Sequence, residues 1–275
     1  MHRDRICQYL SFYRDLGVKD IYRRKAPAVP KAAPAERADS VIDTAMVSLP
    51  PLAASPVETS LTSLPPLAAS PVETSLASLP PLAPAGDTLA RIQTDLEDCR
   101  RCRLCEGRAK IVFGSGNAQA RLVFVGEGPG ADEDAQGLPF VGRAGQLLTQ
   151  MIENTAAKEG IPIKRPDVYI CNVVKCRPPE NRTPLPDEME ICGEFLFRQL
   201  LAIRPAAICA LGSTAAKALL ATKDGVTRLR GRWHKWRDIP LLVTYHPSYL
   251  LRPYNQDAKR EAWEDLKKVL HFVYD

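Results

Sequence analysis

No stretch of this 275-residue chain approaches the roughly 18 uninterrupted apolar residues of a membrane-spanning helix, which excludes that class of protein. The first residues, MHRDRICQYL, are basic but lead into no apolar run or small-residue cleavage site, so no secretory signal is read there. A strong charge of either sign is also missing: 37 Lys and Arg stand against 32 Asp and Glu, a formal surplus of +5. That balance permits a nucleic-acid partner without requiring one. The expectation is a soluble, cytoplasmic protein with no membrane association.

The longest absence runs from Pro27 to Pro84, which contains no Gly, Cys, Trp, Tyr or Phe but 12 of the chain's 24 prolines. Within it SLPPLAASPVETSL runs from Ser48 and again from Ser63, and a partial copy, SLPPLAPAG, starts at Ser78. A period of 15 residues is shorter than the units that build solenoids. Paired prolines fix φ and remove backbone donors, which favours extended polyproline II over helix or sheet. Residues 26–86 therefore read as a disordered, semi-rigid tether, with a proline-recognising partner as the alternative. Ahead of it, in residues 1–25, Ile6, Leu10, Tyr13 and Leu16 recur at helical spacing and predict a short amphipathic helix that needs something to dock on.

The remaining residues, 87–275, read as the globular domain. Short β-rich apolar runs, RLVFV (121–125), VYICNVV (168–174), AAICAL (206–211) and PLLVTY (240–245), alternate with helical patterns over 144–158, 186–203, 214–220 and 257–274. Strands alternating with helices predict parallel crossovers, hence a three-layer α/β/α sandwich around a mainly parallel four-stranded sheet. In such sheets ligands bind beyond the carboxyl ends of the strands. This rule nominates four loops: Gly126–Asp134, Asn172–Arg182, Gly212–Ser213 and Tyr245–Arg252.

The first loop, GEGPGADED, lacks the Lys of a Walker loop and the glycine spacing of a dinucleotide fingerprint. Its Glu127, Asp132, Glu133 and Asp134 suit positioning of water or stabilisation of a developing cation rather than a phosphate cradle. Phe140, in GLPFVG, is either core packing or a platform for stacking a base. Asn172 carries an amide with a donor and an acceptor, matching a pyrimidine edge, although a capped strand end is the ordinary reading. His246, fixed by Pro247 at a strand terminus, is placed to donate a hydrogen bond to a leaving group. His234, in RWHKW, reads as a surface or pairing residue.

Eight cysteines are present. Cys171 and Cys209 lie inside apolar strands and read as small hydrophobes, and Cys7 is isolated. Cys99-x-x-Cys102-x-x-Cys105 followed by Cys176 and Cys192 argues for metal before disulfide in a cytosolic chain. Four thiolates suit zinc or an iron–sulfur cluster, and one close run with two scattered residues leans toward [4Fe–4S].

Together GEGPGADED, GLPFVG, YICNVVKCRPPENRTPLPDE and HPSYLLR closely resemble the family 4 uracil-DNA glycosylases, the iron–sulfur type of bacteria and archaea, over roughly residues 89–273. The resemblance implies a monofunctional glycosylase, typically a monomer of the bacterial cytoplasm and nucleoid, that flips uracil out of DNA and hydrolyses its glycosidic bond. It implies a [4Fe–4S] cluster on Cys99, Cys102, Cys176 and Cys192, with Cys105 outside the pattern. By the same likeness Glu127 and Gly128 line the uracil pocket, Phe140 stacks on the base, Asn172 reads its O4/N3 edge and His246 donates to O2. Glu127 or Glu133 orients water or stabilises the sugar cation.

Phosphate contacts are expected from Arg177, Arg182, Arg230, Arg232 and Arg252, with Arg228, Trp233 and Trp236 beside them on the ligand side. Leu250 or Leu251 is the candidate wedge that fills the gap left by the base. The irreversible uracil-binding sibling of these enzymes is disfavoured, because no KRRIH-like loop follows Phe140. A redox iron–sulfur protein and a non-catalytic nucleic-acid module on the same scaffold are the alternatives of other classes.

Overall fold

The computed structural model describes residue 84 and residues 86–275. The helix expected over 1–25 and the tether over 26–86 lie outside the described residues, apart from Pro84 and Gly86. No described helix is long and apolar enough to cross a membrane.

Six strands form one sheet: β1 (Ser115–Gly116), β2 (Leu122–Gly126), β3 (Tyr169–Asn172), β4 (Ala207–Leu211), β5 (Trp233–Trp236) and β6 (Ile239–Thr244). Their spatial order is β1-β3-β2-β4-β6-β5. The four central strands are mutually parallel and coincide with the four apolar runs of the sequence. The expected count of four is corrected to six by two antiparallel edge strands. Neither edge carries an apolar run. β1 is only Ser-Gly, and β5 is WHKW, whose Trp236 packs on Phe197 at 5.5 Å between ring centroids. Trp233 and Trp236 therefore belong to a sheet edge rather than to a loop on the ligand side. Polar, short edges are where a sheet stops recruiting further strands.

Every residue of β2, β3 and β4 is buried, as expected when helices cover both faces of a parallel sheet. The pleat divides them. Val123, Val125, Ile208 and Ala210 pack under α4 (Pro186–Ile203) and α5 (Gly212–Leu220), while Leu122, Phe124, Cys209 and Leu211 pack under α3 (Arg143–Lys158) and α8 (Gln256–Tyr274). The short helices α2 (Ala131–Gln136), α6 (Val226–Leu229) and α7 (Pro247–Leu250) punctuate the connections. In chain order β2 leads to β3 on one side and β4 follows on the other, so β2 is the topological switch point, where α/β sheets open a crevice.

The first helix, α1 (Leu89–Leu96), is started by the Thr88 hydroxyl, which accepts from the Arg91 N–H. Its Ile92 and Leu96 pack against Phe195 of α4. Arg198 of α4 fixes the contact by donating to both Asp87 oxygens (2.6 and 3.0 Å) and to Asp95 (2.6 Å). The hydrogen bond from Arg198 holds the Asp87 carboxyl below the usual carboxylate range. Truncating Arg198 to Ala strands two carboxylates, one of them buried, and is expected to destabilise the fold by about 3 kcal/mol in urea unfolding at pH 7. Because Asp87 is depressed, this stabilisation is present above pH ~4 and disappears as pH falls through the folded-state value, so the difference from wild type narrows in acid.

Candidate active site and cysteine centre

One cavity of about 230 Å³ opens at the carboxyl ends of the parallel strands, below the roughly 300–1,000 Å³ of drug-sized pockets and on the scale of a single small ring. Glu127, Gly128, Phe140, Asn172 and His246 all line it, together with Glu133, Pro178 and Ser248. Three of them stand at or just past strand ends. Glu127 follows β2, Asn172 closes β3, and His246 follows β6.

Gly126 makes the floor possible. A Cβ there would strike the Asn172 amide oxygen and stand 2.5 Å from the Phe140 ring, so only glycine lets the two side chains meet above β2. Phe140 itself has φ of 53°, a left-handed conformation that costs an L residue roughly 1–3 kcal/mol. Its ring lies 5.6 Å from that of His246. Asn172 is 1% exposed, and its Oδ1 has no hydrogen-bond partner among the described residues. An orphaned buried acceptor is expensive to leave in a fold.

His246 is half-buried. Its Nδ1 accepts from the Ser248 N–H at 3.2 Å and lies 2.8 Å from the Ser248 hydroxyl. With Nδ1 an acceptor, the proton of the neutral ring sits on Nε2. Burial pushes the imidazole down to about 4, only partly offset by Glu133. His246 is therefore an uncharged donor at neutral pH.

The acids of the GEGPGADED turn divide their work. Glu127 accepts from the hydroxyl of Thr214, in the first turn of α5. Both oxygens of Glu133 are taken by backbone donors: Gly130 N–H at 3.0 Å, and Val141 and Gly142 N–H at 2.9 Å each. Asp134 accepts from Ala109 and Lys110 N–H. Two of the four acids thus tie loops together, and they lie in the first turn of α2, where carboxylates are stabilised by the helix dipole.

The arginines separate as well. Arg182 makes a bidentate pair with buried Glu188 (2.6 and 2.8 Å) and reaches the cavity edge. Arg230 spends its guanidinium on Asp265 and the Glu261 carbonyl. Arg228 pairs with Asp224, and Arg177 donates to Asn181 at 2.9 Å. Arg232 and Arg252 are exposed. Leu250 is buried in the core under α3 and α8, so the exposed apolar side chains of this rim are Leu251, Tyr249 and Tyr254.

Next to the pocket, Cys99, Cys102, Cys176 and Cys192 line a second, small void with Leu96, Ile111, Ile191 and Phe195, while Cys105 stands outside it. Arg108 donates to Cys176 Sγ at 3.3 Å, the Lys175 N–H to Cys192 Sγ at 3.3 Å, and Arg101 to Cys99 Sγ at 3.5 Å. Burial raises the thiols of Cys102 and Cys176 and pushes Cys192 up to about 12. Among the described residues no three His, Cys, Asp or Glu are gathered to hold one metal ion, as mononuclear zinc requires. Four sulfurs around one void, Cys176 and Cys192 buried and Cys99 and Cys102 half-buried, three of them receiving N–H donors, fit a larger, thiolate-bound group.

Several contributors escaped the sequence reading. Thr214 follows the nominated Gly212-Ser213 pair by one residue. Ser248 was hidden within HPSYLLR. Lys175 is fully buried and donates to the Asn172 carbonyl (2.7 Å) and to Gln199 (2.6 Å). A charged residue in the otherwise apolar run NVVKC was the available signal for it.

Fold and site together define a three-layer α/β/α sandwich with a small, partly polar cavity at the carboxyl ends of its parallel strands. Comparison with known proteins agrees with that class. The family model of the uracil DNA glycosylase superfamily matches residues 113–267. The chain is 46% identical over 180 residues to a type-4 uracil-DNA glycosylase of Thermotoga maritima, covering 65% of this chain and 91% of that one. Type-4 uracil-DNA glycosylases of Archaeoglobus fulgidus and Sulfurisphaera tokodaii are 41% and 40% identical over 191 residues, covering 66% of this chain and 92% and 84% of theirs. The chain belongs to the uracil-DNA glycosylase superfamily.

A depressed His246 has a direct signature. Its ring is expected to titrate near pH 4 by NMR, with the Nε2–H tautomer above that. The unfolded ring takes its proton near 6.5, so this residue makes stability fall as pH drops from about 6.5 toward 4, and His246→Gln removes that slope. A ring that titrates near 6.5 in the folded protein contradicts the assignment.

Proposed function

We propose that this chain is a uracil-DNA glycosylase that takes uracil extruded from DNA, hydrolyses the bond between its N1 and the sugar, and leaves an abasic site as the first step of base excision repair. The observation that carries this is the buried Asn172 Oδ1, without a partner among the described residues, in the wall of a ring-sized cavity that Phe140 and His246 also line. The relatives' names point to the same activity.

Phe140 offers its face to the flipped base, and Asn172 accepts from N3–H and donates to O4. His246 donates Nε2–H to O2. As the bond between C1′ and N1 stretches, its electron pair moves onto the uracil, and a neutral donor stabilises that anion without surrendering its proton. Of the two acids, Glu127 suits the sugar side. One of its oxygens is held by Thr214 and the other has no protein partner among the described residues, whereas Glu133 is occupied by three N–H groups. Water oriented by the Glu127 carboxylate adds to C1′ and gives its proton to that carboxylate. DNA grip falls to Arg177, Arg232 and Arg252 through phosphates, with Arg182 at the pocket edge and Leu251 as the wedge.

Cys99, Cys102, Cys176 and Cys192 would hold a [4Fe–4S] cluster. Bound there, the cluster would supply folding energy by tying the segment after α1 to the loop after β3, since hydrolysis moves no electrons. Soluble Cys176→Ser protein is expected to fall several-fold in yield and to lose iron and sulfide. Wild-type levels of both in this variant would remove Cys176 from the ligand set.

Purified protein incubated with a uracil-containing oligonucleotide, followed by alkali cleavage and assay of free uracil, tests the activity. Release of uracil is expected, with His246→Ala slower by roughly 10²–10³-fold, the scale of losing one transition-state donor. DNA binding without free uracil would favour the non-catalytic module. Reversible cluster reduction without base release would favour the redox reading.

A further inference from the structure

The aromatic wall of the pocket is fixed by a residue that does not line the cavity. Phe140 keeps its left-handed conformation inside a loop whose peptide groups are gripped by opposite charges. On one side Glu133 accepts from the N–H groups of Val141 and Gly142. On the other, Arg165 Nη2 donates to the carbonyl of Pro139 at 2.6 Å. The peptide groups flanking Phe140 are thus held between an anion on their donors and a cation on their acceptor.

Arg165 does more than touch the loop. Its Nη1 donates to the Thr149 hydroxyl at 2.8 Å and approaches the Gly145 carbonyl at 3.5 Å, both on α3. Its main-chain N–H donates to Glu153 of the same helix at 3.2 Å. The guanidinium therefore locks the Pro139–Phe140 peptide to the helix that follows it. Gly145 makes this close approach possible, because a Cβ there would collide with the Phe140 backbone. A planar fork with five N–H donors can serve these acceptors at once, which a lysine cannot.

We propose that Arg165 is a positioning residue for base recognition. By holding the Pro139 carbonyl it keeps Phe140 in its left-handed conformation, with the ring ready to stack before any base arrives. This rests on the reading of the cavity as a uracil pocket. Without the clamp an L residue at positive φ relaxes toward extended backbone, and the ring must be returned to place each time a base binds. Such a defect weakens binding and leaves the chemistry of the bound state nearly intact.

The test is a double-mutant cycle on full-length protein, read by KM and kcat on uracil-containing DNA, by inhibition with free uracil, and by Tm. Arg165→Met is expected to raise KM and the inhibition constant about tenfold, with kcat changed less than about threefold. Phe140→Ala is expected to weaken uracil binding at least as much, and adding Arg165→Met to it to cause little further loss, because both act through one ring. Arg165→Lys, which keeps one donor for Pro139, should recover part of the affinity. If Arg165→Met does not fold, Arg165→Lys carries the same cycle. A fall in Tm with an unchanged uracil inhibition constant overturns the proposal, as do penalties that simply add. Wild-type protein that neither releases uracil nor is bound by it overturns the pocket reading and the clamp together. Active wild type with unaltered Arg165 variants overturns the clamp alone.

Discussion

The parallel register that sets Gly126 opposite Asn172 governs the whole rim. It brings a residue without a side chain under the one amide that ends β3, and the space released is where Phe140 closes the pocket. The pairing continues past the strands, as Val173 and Val174 N–H donate to the carbonyls of Gly126 and Glu127 (3.0 and 3.2 Å). Those bonds pin the glycine turn against the loop that carries Asn172. Because side chains alternate along a strand, a slip of one residue would present Cys171 or Val173 in place of the amide. The buried faces of β2 and β3 forbid that slip, so core packing and the placement of Asn172 at the cavity are enforced by the same contacts.

Charge at this rim is used mainly as scaffold. Glu133 and Asp134 satisfy backbone donors that the turn and the 109–110 segment would otherwise leave unpaired. Glu188 and Asp265 hold Arg182 and Arg230 in bidentate pairs. Desolvated carboxylates of this kind fix geometry, because losing either partner leaves an unpaired buried charge. Glu127, with one oxygen held by Thr214 and the other without a partner among the described residues, differs from these acids.

The cysteine centre and the pocket share a single loop. Lys175 gives its main-chain N–H to Cys192 Sγ and its side-chain Nζ–H to the Asn172 carbonyl, while Cys176 follows immediately. Arg108 adds a second strut from Cys176 to the Cys99 carbonyl. The proposed iron–sulfur cluster would have a structural use on this geometry, in an enzyme whose reaction moves no electrons. Bound there, it would brace the loop after β3, which has only short irregular turns of its own and yet carries residues on both sites.

Much of the domain was legible in the amino-acid order. The four central strands and the long helices announce themselves through apolar runs and helical periodicity, because their burial on both faces or one face is written residue by residue. The rim residues Glu127, Asn172 and His246 were also nominated, since strand ends in a parallel sheet are where ligands bind, and Phe140 was singled out by its glycine-flanked loop. The two edge strands were not, because their pairing depends on a neighbour rather than on their own polar sequence. Nor could spacing tell Leu250 from Leu251, or a loop-binding acid from one with an oxygen to spare. Local pattern reports what a residue prefers to bury. The partner of a hydrogen bond spanning 26 or 87 residues, such as Arg165 with Pro139 or Thr214 with Glu127, exists only once the sheet has brought those segments together.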